Sequence, residues 1–268
     1  MNVKDTVLNH FGFARMPFGK DVPIDRVFPT ASLAETTAML SLGLDCEDLM
    51  LITGVIGCGK SLLVRRAACD FDSDRYQLIY LRGGLSGAAE LYKLVLRGMN
   101  VEPPHSLLKA KSRYFASVSE VTRKPIVVLD DAQDAHPEAL LALKAMTNFE
   151  SDSQSRLTFI LVGQPELVSL LSLSHFESVR ERIRLAARIT PMSLKETCAY
   201  IDHALAIVER KEPLFSDDAK AHVFKRTRGV ARRINTLCYQ AILQAAIEKL
   251  SIIDTHNLPP EALAGLAD

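Results

Sequence analysis

The stretch Gly54-Val55-Ile56-Gly57-Cys58-Gly59-Lys60-Ser61 constrains this chain more than any other part of it. It fits G-x-x-x-x-G-K-[ST] at every fixed position, after an apolar run at 48–53 and before a helical pattern at 60–69. That context calls for a strand, a phosphate-sized loop and a helix. Glycines let successive N–H groups turn inward around phosphate oxygens, and the helix N-terminus adds a favourable dipole. Lys60 then reaches the β- and γ-phosphates and Ser61 ligates Mg²⁺, so the expected cofactors are ATP and Mg²⁺. Gly54, Val55, Ile56, Gly57, Cys58, Gly59, Lys60, Ser61 and Leu62 are the candidate nucleotide contacts. A glycine-rich turn with a chance lysine is the bland alternative, and the strand and helix on either side argue against it. Cys58 stands near a helix N-terminus, which can lower a thiol pKa; a tolerated small residue is the simpler reading.

A second motif, Pro125-Ile-Val-Val-Leu-Asp130-Asp131-Ala-Gln133, ends an apolar strand in two acids. The first carboxylate, Asp130, is placed to hold Mg²⁺ through water, and Asp131 to polarise the attacking water. Alone this is an ordinary acidic turn after a core strand. Downstream of a phosphate loop in the same sheet pattern it reads as the other half of a nucleotide site.

Around these motifs short apolar runs alternate with helical patterns, the signature of a parallel sheet with crossover helices. Strands are expected at 48–53, 76–81, 126–130, 157–162 and, more weakly, 185–189. All but the last are nearly continuous apolar runs, as strands covered on both faces require. Helices are expected at 60–69, 88–99, 106–121 and 137–149, the last opened by Pro137 at its first position. After Pro191 the strands cease. Ser193-Leu194-Lys195-Glu196 reads as a capping box opening a helix to about residue 210, followed by helices at 217–227 and 230–250. The predicted organisation is an N-terminal segment packing on the core (1–47), an α/β nucleotide-binding core (48–191) and a small helical lid (192–268).

Bulk properties exclude several classes. Hydrophobic residues make up 48% and charged residues 24% of the 268, a globular rather than a disordered balance. The 32 basic and 32 acidic side chains cancel, so any polyanion-binding surface must be a local patch. No apolar leader opens the sequence, and the most apolar stretch, 157–173, is interrupted at Gly163, Gln164, Pro165 and Glu166. That falls short of the roughly 20 apolar residues a membrane span needs. The five cysteines form no CxxC pair, and no two of the seven histidines have zinc-ligand spacing. A cytoplasmic protein with reduced thiols and no membrane partner is expected.

With both motifs placed, the chain resembles the ExeA-like branch of AAA+ ATPases over nearly its whole length. The matching pieces are Phe11-Gly12-Phe13 with Pro17-Phe18, LDDAQDAHPEALLALKAMTNFE, LVGQPEL, ESVRERI, ITPMSLKET and PLFSDDAKAHVFKRTRGVARRINTLC. The resemblance implies an AAA+ core, a helical lid and action as a nucleotide-dependent homo-oligomer, ring or helical filament. It also implies site roles. Gln164 matches the polar sensor at the end of the fourth strand. Arg182 matches the arginine finger that reaches a neighbouring subunit's nucleotide, with Arg180 and Arg184 as alternatives. Arg232 matches the lid sensor, a role Arg233 can also fill. The blander account of each arginine is a solvated helix face, which suffices for Arg188. Phe11, Phe13 and Phe18 suit either an adenine pocket or the packing of the N-terminal segment. One departure stands out: the family places Glu where this chain has Asp131. A carboxylate one methylene shorter sits further from the water, which implies slow hydrolysis suited to a switch.

For the client, the resemblance offers two settings. One is a transposition helper that polymerises on duplex DNA with ATP and recruits or stimulates a transposase. The other is a secretion or membrane-assembly machine, expected to carry a transmembrane segment and an envelope-binding domain after the ATPase. The sequence given ends soon after the lid, which favours the first expectation. Lys109, Lys111 and Arg113 cluster between the second and third strands, where related transposition ATPases face DNA, and such contacts would be to phosphates. An exposed basic helix turn explains them equally. A small-molecule kinase is disfavoured by the late arginines and the helical lid.

Overall fold

The computed structural model describes residues 3–19, 22–149, 155–210 and 212–260. The chain divides into two compact units, one of residues 31–190 and the other combining 1–30 with 191–268.

The first unit is a three-layer α/β structure. Strands β1 (Leu49–Gly54), β2 (Tyr76–Arg82), β3 (Lys124–Asp130), β4 (Thr158–Gly163) and β5 (Ile183–Ile189) form one sheet in the order β2-β3-β4-β1-β5. Every pairing is parallel. Strand side chains alternate between faces, and both faces here are covered. Leu49, Leu51, Val127, Leu129, Phe159 and Leu161 enter one apolar cluster, shared with the helices Ala88–Gly98 (α4), Leu107–Glu120 (α5) and Pro137–Met146 (α6). Met50, Ile52, Ile126, Val128, Ile160 and Val162 enter the other, with Ala31–Cys46 (α2) and Lys60–Asp70 (α3). This double burial is why the central strands read as unbroken apolar runs.

The strand β5 lies at the sheet edge and alternates half-buried with exposed residues. Its register against β1 slips after Leu49↔Ile183, resuming at Met50↔Leu185, so Arg184 falls in the irregularity. A bulged edge strand discourages pairing with further chains, and its exposed Arg184 and Arg188 weakened its apolar signal.

The second unit is helical. It contains α1 (Val3–Phe11), α9 (Leu194–Ala206), α10 (Asp217–Thr227) and α11 (Ala231–Ile247). The expected capping box opens α9: Ser193 Oγ accepts from Glu196 N at 3.2 Å, and Glu196 Oε2 accepts from Ser193 N at 2.9 Å.

The expected N-terminal segment of 1–47 divides. Residues 31–47 belong to the α/β unit, whereas 1–30 belong to the helical one. The reason is apolar burial: Val7, Phe11 and Phe13 share a core with Ile201, Leu205, Phe215 and Ile234. Phe11 and Phe13 stack at 5.2 Å, and Arg210 Nη1 donates to the Phe11 carbonyl at 3.0 Å. Phe11 and Phe13 are 4% and 5% exposed and Phe18 packs against the same cluster, its ring on Phe215, so their rings serve this core rather than a base pocket.

Candidate functional site

The phosphate-type loop joins β1 to α3. Gly57 and Gly59 hold φ at 81° and 103°, the left-handed region that a side chain resists. Gly59 is the N-cap of α3, whose first residue is Lys60. Backbone turned this way lets successive N–H groups converge on an anion.

Lys60 is 8% exposed. Its ammonium donates to the carbonyls of Gly54 at 2.7 Å and Val55 at 3.2 Å. The lysine is thus pre-gathered inside the loop it would serve, and moving onto phosphate exchanges neutral acceptors for anionic ones. Cys58 is buried in the same loop, and burial pushes its thiol pKa up. The activation a helix N-terminus can give is therefore outweighed by desolvation, and Cys58 is a packed small residue.

Strand β3 brings the acids to the loop. Asp130 is buried at 6% exposure. Its Oδ2 accepts from the Ser61 hydroxyl at 2.9 Å and from the Tyr80 hydroxyl, while its Oδ1 accepts from Asp131 N at 3.1 Å. Burial, followed by the hydrogen bond to Asp130, raises the Tyr80 pKa to about 12, so the phenol stays a donor. Hydroxyl and carboxylate oxygens side by side are the hard ligands Mg²⁺ takes, and the donor set therefore fits that ion. Asp131 is exposed and left-handed (φ 52°, ψ 45°) at the start of a 3₁₀ turn, Ala132–Asp134. Gln133 on that turn donates to Asp131 Oδ1 at 3.3 Å and accepts from the Gln164 N–H at 3.0 Å.

The loop, Asp130, Asp131 and Gln164 are thus gathered at the C-terminal ends of β1, β3 and β4, where open α/β sheets bind ligands. Tyr80 and Gln133 are additions that sequence reasoning did not single out. The alternation of β2 marks Tyr80 as a residue off the main core. Gln133 was visible in the second motif, but only the turn's geometry gives it two partners.

The arginines and lysines behave differently. Arg182, just beyond α8 (Glu177–Arg180), is half-buried and donates to Thr147 Oγ1 at 3.4 Å. Arg180 is exposed and donates to the Ser172 carbonyl at 3.3 Å. Arg232 and Arg233 are exposed in the first turn of α11, in the helical unit. The basic trio on α5 does not form one patch. Lys109 and Arg113 are exposed one turn apart, whereas Lys111 is half-buried with its ammonium 5.8 Å from the centre of the Tyr92 ring. Residues two apart on a helix face different ways.

Residues 45–171 match a family model described as an AAA domain. That match covers just under half of the chain. Over 244 residues it is 24% identical to General secretion pathway protein A of Aeromonas hydrophila, covering 88% of this chain and 44% of that protein. The ExeA-like resemblance read from the motifs therefore holds, although the chain spans less than half the length of that curated relative.

Among solved structures, Cdc6p from Pyrobaculum aerophilum superposes with a TM-score of 0.68 at 17% identity, over 88% of this chain and 67% of that one. The Aeropyrum pernix ORC1 protein in complex with DNA gives 0.64 at 15%, over 90% and 66%. The Thermotoga maritima RuvB Holliday junction branch migration motor gives 0.55 at 17%, over 86% and 67%. At these identities the likeness speaks for the fold alone: an α/β core with a parallel sheet, followed by a helical region. Among the described residues no helix is long and apolar enough to cross a membrane.

Proposed function

We propose that this chain is an ATP-hydrolysing switch that assembles as a homo-oligomer on duplex DNA and recruits or stimulates a transposase. The observation that carries the nucleotide half is the Ser61–Asp130 pair at 2.9 Å beside a buried Lys60. Lys60 binds the β- and γ-phosphates and the loop N–H groups cradle them. Ser61 and Asp130 hold Mg²⁺, which when bound neutralises charge on the phosphates. Asp131 orients the water, Gln164 senses the γ-phosphate, and Arg232 or Arg233 reports nucleotide to the lid. Arg182 acts on a neighbouring subunit's nucleotide.

Support for the DNA half is thinner and local. Lys109 and Arg113 present two cations on one exposed helix face, suited to phosphates rather than bases. Lys111 is assigned a lesser share, because its charge already lies against the Tyr92 ring. DNA stands in the description of one fold relative, and Holliday junction branch migration in that of another.

The second reading, an ATPase component of a secretion or membrane-assembly machine, is favoured by the name of the curated relative. Electron microscopy of the protein with a non-hydrolysed ATP analogue and duplex DNA separates the two. Rings or filaments following the DNA support the switch, and particles indifferent to DNA favour the secretion reading.

A further inference from the structure

The ladder between β3 and β4 runs from Ile126↔Thr158 to Leu129↔Leu161. Strand β4 continues to Gly163 and its pairing with β1 continues to Thr53↔Gly163, while β3 keeps pairing with β2 as far as Arg82↔Asp130. The two central strands therefore part at their C-terminal ends, on the side that holds the site. The Gln164 N–H just past this parting needs an acceptor, and Gln133 Oε1 supplies one at 3.0 Å.

That bond fixes which way the amide faces. With Oε1 committed to an N–H donor, Nε2 must turn the other way, and there it donates to Asp131 Oδ1 at 3.3 Å. Gly163 makes the room: a Cβ there would stand 2.7 Å from Gln133 Oε1 and 2.6 Å from Leu167 Cδ2. Asp131 starts the 3₁₀ turn that carries Gln133, so the same short turn sets the bridging side chain and the acid it holds, while the far end lies on β4.

We propose that Gln133 is a positioning residue for hydrolysis, tying the Asp131 carboxylate to the end of β4 and so fixing Asp131 relative to Gln164. The inference rests on the reading of Asp131 as the water-orienting acid. Gln133 spans the gap left where the β3–β4 ladder ends, and any movement of β4 at Gln164 is passed to the carboxylate through one rigid amide.

Two variants separate positioning from mere support. Gln133→Ala removes both bonds and risks loosening the turn. Gln133→Glu is isosteric, still accepts from Gln164 N–H, and loses only the donor to Asp131 while adding a like charge beside it. Wild type and both variants of the 268-residue chain are compared for ATP affinity by calorimetry, for phosphate release at saturating ATP, and for thermal unfolding.

Gln133→Glu is expected to unfold like wild type and bind ATP within about twofold. Its turnover should fall about tenfold or more, the effect of losing one hydrogen bond to a charged group. Wild-type turnover in Gln133→Glu, or a loss of ATP affinity or of thermal stability that accounts for the slower turnover, overturns the positioning role while leaving the ATPase reading intact. A wild-type chain that binds ATP but releases no phosphate overturns that reading, and this inference with it.

Discussion

Replacing Asp131 by Asn removes a charge while disturbing little else, and the structure says why. Asp131 is exposed and sits at φ 52°, ψ 45°, a conformation that Asn tolerates as well as Asp. The Asn side chain retains an oxygen for Gln133 Nε2. Stability should therefore shift by no more than about 0.5 kcal/mol, the range of surface substitutions. ATP affinity should stay within about twofold, because the phosphate contacts belong to the loop and Lys60. What disappears is the base proposed to orient water, a role contributing on the order of 10²–10⁴ in rate.

Phosphate release at saturating ATP, with affinity measured by calorimetry, should show this split cleanly. Asp131→Glu supplies the converse test. A longer carboxylate reaches the water more easily, so turnover should equal or exceed wild type. Glu adopts the left-handed conformation less readily than Asp, costing about 1 kcal/mol, or roughly 2–4 °C of melting temperature at this size. Wild-type turnover in Asp131→Asn would refute the reasoning and remove Asp131 from the water-orienting role.

Three other expectations follow from the same geometry. Lys60→Ala deletes a buried ammonium that donates to Gly54 and Val55, and ATP binding by calorimetry should become undetectable at concentrations that saturate wild type. Arg182→Ala should bind ATP normally yet hydrolyse on the order of 10³-fold more slowly. Mixing it with Lys60→Ala should restore part of the activity, because one supplies the pocket and the other the arginine; a mixture that stays inactive despite co-assembly removes Arg182 as a finger acting between subunits. Replacing Lys109 and Arg113 by Ala should weaken DNA binding and flatten its salt dependence by about two phosphate contacts, whereas Lys111→Ala should change the slope little; equal effects from all three would place the DNA surface elsewhere.

The parts legible in the sequence were those where one physical constraint acted alone. Strands β1, β3 and β4 are buried on both faces, so their apolar runs had no competing polar pattern. Lys60 and Asp130 stand at fixed offsets from a strand end. Helix α2 was not visible because its apolar residues do not mark its buried face: Thr36 is buried whereas Leu42 is 77% exposed. The N-terminal thirty residues were expected on the α/β core because composition cannot say which of two apolar cores Phe11 and Phe13 will join. Spacing suggested one basic patch on α5, yet Lys111 faces Tyr92, a contact made with a different helix. Gln133 and Tyr80 depend on three-dimensional partners, Gln164 and Asp130, that lie far away along the chain.

The central claim is that nucleotide at Lys60 governs association with DNA. Its most direct test is the affinity of the chain for a labelled duplex, by fluorescence anisotropy, with Mg²⁺ and either ATP analogue, ADP or no nucleotide. The account predicts binding at least about tenfold tighter with the analogue, little dependence on sequence, a steep loss with salt, and no nucleotide effect in Lys60→Ala. Equal affinity in all three states, or no binding in any of them, would contradict it.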